Sequence, residues 1–135
     1  MTWDHVLTIN DYHDRPILGV AEVAGVPHIY ELEFDNIADE YGDVYLVSPV
    51  NQDLLSLILE DWAIWQRWYA AYNRKEVSIE THPSLPEDFQ RHNYLKTAIA
   101  DRFHADRERA MRLKGEFRNV HKNRGWDDAE VRWLS

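Results

Sequence analysis

Two residues near the middle of the chain have the right types to move a proton. Asp61 lies at helical steps from Ile58, Ile64 and Trp65, and His92 sits between Phe89 and Leu95 in a second apolar stripe. A carboxylate turned toward an apolar interior must be paired or hydrogen-bonded, and burial raises its pKa. If the two segments pack antiparallel, Asp61 can meet His92, and a carboxylate orienting an imidazole is half of a general base. The same pair is also an ordinary contact that fixes helix register. No nucleophile or oxyanion donor stands nearby in sequence, so the structural role is the expected one.

Glu80 and His82 precede the second stripe, and together with His92 they offer two imidazoles and a carboxylate to a metal. Their spacing matches no known ligand motif, so neither a metal nor another cofactor is expected. The acidic loop over residues 35–43 is rich in oxygens but has no calcium-loop spacing. Glycine-rich phosphate loops, the G-x-S-x-G elbow and the H-E-x-x-H helix are absent. Without cysteine there is no thiolate chemistry and no disulfide framework.

Binding surfaces are easier to name than catalytic ones. Trp62, Trp65, Trp68, Tyr69 and Tyr72 recur along one helical stripe. Such stripes mostly form core, yet tryptophans this dense leave a ring edge near the surface, which makes Trp65 and Trp68 candidates. A second candidate is acidic: Glu31, Glu33, Asp35, Asp39, Glu40 and Asp43.

The 135-residue chain carries 24 acids against 15 lysines and arginines, a net charge of -9. Residues 1–50 hold ten acids and a single base, Arg15, while residues 91–135 are net +4. Either the basic end offsets the acidic one internally, or the two surfaces meet different partners. The bases of the C-terminal segment, denser through Arg118, Lys122 and Arg124, are interleaved with acids. That pattern and the acidic body disfavour nucleic acid.

The elements that position these residues follow from periodicity. Strands are expected over His5–Tyr12, Ile17–Ala24, Pro27–Asp35 and Val44–Val47, with Tyr30, Leu32 and Phe34 on one face and Glu31, Glu33 and Asp35 on the other. From Gln52 to Asn73 the spacing is helical, with Asn51 as N-cap. Ser84 and Glu87 fit a capping box for a second helix carrying Leu85, Phe89, Leu95, Ile99 and Phe103. A third helix is expected over Arg107–Lys114, capped by Asp106 and stopped by Gly115.

The expected class is α+β: a small antiparallel sheet of about four strands over residues 5–47, then two or three helices on one face. One domain is expected over residues 1–135, divided into a strand-rich acidic part (1–50), a helical part (51–117) and a polar basic tail (118–135). No apolar run is long enough to span a membrane, and the N-terminal residues lack a signal-peptide pattern, so a cytoplasmic setting is expected. The functional expectation is a non-enzymatic interaction or inhibitor-type domain with an acidic surface for a basic protein partner. The alternatives are a small enzyme or ligand-binding domain using Asp61, His82, His92 and Trp62, Trp65 and Trp68, or nucleic-acid binding through the basic C-terminal segment.

Overall fold

Alternation of apolar and polar residues sets up the first four strands. The computed structural model describes residues 2–120 and 126–135. Strands β1 (Asp4–Tyr12), β2 (Pro16–Val23), β3 (Val26–Asp35) and β4 (Glu40–Pro49) form an antiparallel meander. Ala24 and Gly25 both adopt positive φ in the β2–β3 turn, a conformation that suits a tight hairpin and that Gly25 reaches without a Cβ penalty.

The sheet does not end there. Strand β5 (Met111–Arg118) pairs with β4, and β6 (Glu130–Leu134) pairs with both β5 and β1. The ring closes in the order β1-β2-β3-β4-β5-β6. The expected α+β architecture is therefore corrected to a closed six-stranded antiparallel barrel, with two helices between β4 and β5. The physical reason lies in β5. Leu113, Gly115 and Phe117 are partly buried while Arg112, Lys114, Glu116 and Arg118 are exposed, a period of two that no helix sustains. Asp106 does accept from the Glu108 N–H at 3.1 Å, but the contact closes a turn and no third helix follows. Residues 130–134 of the expected tail form the closing strand.

The chain divides into two compact units, residues 1–50 with 104–135, and residues 51–103. The first is the barrel. Its interior is filled by Tyr30, Tyr45, Phe117 and Trp133, whose rings all meet one another at centroid distances of 5.5–6.2 Å. Each buried phenol finds an acceptor. Tyr30 donates to the Thr8 carbonyl at 2.9 Å and Tyr45 to the Pro16 carbonyl at 2.6 Å. The indole N–H of Trp133 donates to the Glu22 carbonyl at 3.1 Å. A Cβ at Gly115 would press on the Trp133 ring, so the absence of a side chain there makes room for the indole.

The second unit is helical. Helix α1 (Gln52–Asn73) starts where expected, with the Asn51 side chain accepting from the Leu54 N–H at 2.8 Å. Helix α2 (Phe89–Ile99) starts later than the Ser84 box implies. A short 3-10 turn over Pro86–Asp88 precedes it, Leu85 holds the capping position, and the buried Ser84 hydroxyl has no hydrogen-bond partner. Ala100, at positive φ, ends α2 before Phe103. No helix among the described residues is long and apolar enough to cross a membrane.

Candidate functional site

The helical unit brings Asp61 and His92 together. Nδ1 of His92 lies 2.6 Å from a carboxylate oxygen of Asp61, so the imidazole N–H donates to it. Both side chains are largely buried. The pair does not stand alone. Arg91 bonds both carboxylate oxygens of Glu60, and Arg67 bonds both of Asp88 at 3.1 Å. The three links tie the helices antiparallel in a single register. The hydrogen bond from Arg91 holds the Glu60 carboxyl below its ordinary value. No hydroxyl is bonded to His92 among the described residues, so the dyad has the geometry of a register pin.

The other candidates of this unit separate. Trp68 is 2% exposed, donates its N–H to the Thr81 hydroxyl at 2.8 Å and meets the His82 ring edge-on at 4.7 Å. It is core and offers no surface. Trp62 is buried as well. Trp65 is half-buried and stacked between Trp62 and Tyr69, at 4.8 and 4.9 Å. Glu80 and His82 border a cavity of about 340 Å³ with Pro83, Pro86 and Phe89, and His92 does not line it. Among the described residues no group of three or more histidines and acids is placed to hold a metal.

In the barrel unit the acidic candidates split by what faces them. Glu31 accepts from Nδ1 of His104 at 2.9 Å and from the Ala105 N–H at 3.2 Å. Glu33 is gripped by both terminal nitrogens of Arg112 and lies 4.0 Å from Arg107. Asp43 pairs with Lys114 at 3.5 Å. Outward residues of β5 and β6 are matched in the same way, Glu116 with Arg132 and Arg118 with Glu130, directly opposite in register. The internal-offset reading of the charge pattern thus describes most of β5. Lys122 and Arg124, the denser part of the basic segment, lie outside the described residues.

The β3–β4 connection differs. Asp35 is committed to the turn, accepting from the N–H groups of Ile37 and Ala38 at 2.9 and 3.1 Å. Asp39 and Glu40 have no basic partner within 4 Å among the described residues. Between them and Asp35 stands Ile37, 99% exposed, and the hairpin is braced by Phe34 and Tyr41, packed edge-to-face at 5.1 Å and each more than a third exposed. These three apolar side chains are absent from the sequence-derived site. The available signal was a lone isoleucine inside an otherwise polar, acidic loop. Compared with family models, curated proteins and solved structures, the chain matches none.

Proposed function

We propose that this chain is a non-enzymatic cytoplasmic interaction domain whose β3–β4 hairpin docks on a basic surface of another protein. The observation that carries the reading is the hairpin tip: a fully exposed Ile37 and the Phe34–Tyr41 pair, with Asp39 and Glu40 lacking a basic partner among the described residues. An apolar anchor with aromatic support inside a charged rim is the pattern of an interface hot spot. Free carboxylates steer a cationic partner and suppress acidic ones. Covering a positively charged active site, as an inhibitor does, is one use of such a surface.

The rival small-enzyme reading has the 2.6 Å contact between His92 and Asp61 in its favour. Among the described residues no hydroxyl is bonded to His92, and two of its three tryptophans are buried. The nucleic-acid reading loses Arg112, Lys114 and Arg118, whose charges are taken up by Glu33, Asp43 and Glu130.

The test is parallel capture from an extract of the native host, at low and at physiological salt. The unaltered chain is run beside Ile37→Asp and the double variant Asp39→Asn, Glu40→Gln. One basic protein should be retained by the unaltered chain, released as salt rises and lost by both variants. Capture that ignores salt, or that all three chains share, refutes the reading, and so does an empty capture.

A further inference from the structure

Arg15 is the only base in the first fifty residues, and none of the ten acids around it in sequence is its partner. Among the described residues no carboxylate lies within 4 Å of it. Its guanidinium is instead tied through Nη2 to the backbone carbonyls of Tyr41 and Gly42, at the start of β4. A guanidinium has five N–H donors, so this tether fixes the group while Nε and Nη1 keep N–H groups with no acceptor among the described residues. A held, half-buried cation with no carboxylate within 4 Å among the described residues, in a chain of net charge -9, needs an explanation.

The surroundings supply one. Arg15 borders a cavity of about 430 Å³ at one end of the barrel, within the range of small-molecule sites. Its apolar wall includes Tyr12, Tyr45, Phe117 and Leu134. Three carboxylates stand on the rim, Asp14, Asp43 and Glu116. Asp43 is neutralised by Lys114 and Glu116 by Arg132, which leaves Asp14 as the rim acid without a basic partner among the described residues. The rim then sums to zero, Arg15 against Asp14, so each further negative charge on a ligand adds repulsion and a monoanion meets the least.

We propose that this end of the barrel binds a small monoanionic molecule with a flat apolar body, such as an aromatic carboxylate, its anion on Arg15 and its ring against Tyr12 and Phe117. The site is independent of the hairpin tip and adds a ligand to the interaction reading. A charge-assisted hydrogen bond to a fixed guanidinium favours the carboxylate over its uncharged amide.

Naphthalene-1-acetate and naphthalene-1-acetamide are the probes, titrated into the full chain and followed by backbone amide shifts. The acid should bind about tenfold or more tighter than the amide, with the largest shifts at Gly115, Phe117 and Leu134. Arg15→Gln should bring the acid down to the affinity of the amide. Because that variant also cuts the tether to β4, Leu134→Trp provides a second arm, filling the cavity and abolishing binding of both probes. If neither probe binds, if acid and amide bind alike to the unaltered chain, or if the shifts fall elsewhere, the proposal is wrong. The same holds if Leu134→Trp binds as well as the unaltered chain. Should Arg15→Gln unfold, the acid–amide contrast and its location still decide.

Discussion

Gly19 sits on β2 opposite Ile9 of β1 and Tyr30 of β3. A Cβ there would overlap the Thr8 carbonyl oxygen and the Tyr30 hydroxyl, the two atoms that form a buried hydrogen bond. Backbone cannot yield cheaply, and the displaced phenol would lose its acceptor. Gly19→Ala should therefore cost about 3 kcal/mol or more, overpacking and a lost buried hydrogen bond combined. Gly42 is the contrast within the same barrel: a Cβ there meets only the Glu33 carbonyl oxygen at 3.8 Å, ordinary contact. Gly42→Ala should stay within about 0.5 kcal/mol. Urea unfolding compares them directly, and equal midpoints for the two variants would show that the barrel yields at Gly19.

The helical hairpin makes the corresponding point for an element. If Asp61 and His92 act as a register pin, removing either costs about as much as removing both. Asp61→Ala and His92→Ala should each destabilise the chain by about 1–2 kcal/mol, with the double variant well short of their sum. Thermal unfolding followed by helical circular dichroism reads this, and strict additivity would mean that the contact adds nothing. The sequence allows this pairing only on condition that the two stripes pack antiparallel; both stripes follow a clear helical period, and the packing supplies the contact. The first three strands were legible, their alternation being local. Strand β5 was not. Asp106, a good N-cap, followed by arginines and closed by Gly115, imitates a complete helix, and the alternation of Leu113, Gly115 and Phe117 is hidden by a glycine in an inward position. Closure itself is non-local, since β5 finds β4 across the whole 51–103 insertion and β6 finds β1 across nearly the full chain. The acidic candidates could be named from composition, but only cross-strand partners such as Arg112 and Lys114 decide which of their carboxylates stay unpaired.

At the scale of the whole molecule, ring closure and the fate of two phenols are linked. Tyr30 and Tyr45 lie inside the barrel, and burial pushes both hydroxyls above the ordinary value of 10.0, with the charge of Arg15 opposing the shift at Tyr45. The folded chain thus holds two protons that the unfolded chain releases near that value. A group with a raised folded pKa contributes stability that is complete below the unfolded pKa and is lost as pH rises toward the folded one. Stability should accordingly be level up to about pH 9 and fall as pH climbs through 10 and beyond. The near-ultraviolet circular dichroism of the aromatic core, in which both rings take part, reports that fall. Tyr30 and Tyr45 should ionise only as that signal collapses, because their hydroxyls face the Thr8 and Pro16 carbonyls inside a closed ring and reach solvent when the ring opens. Tyr45→Phe should flatten the alkaline fall, since one of the two linked protons is gone. Reversible ionisation of Tyr30 and Tyr45 near the ordinary value, with the aromatic signal preserved, would mean that the barrel admits hydroxide without opening and that its core is not closed around these rings.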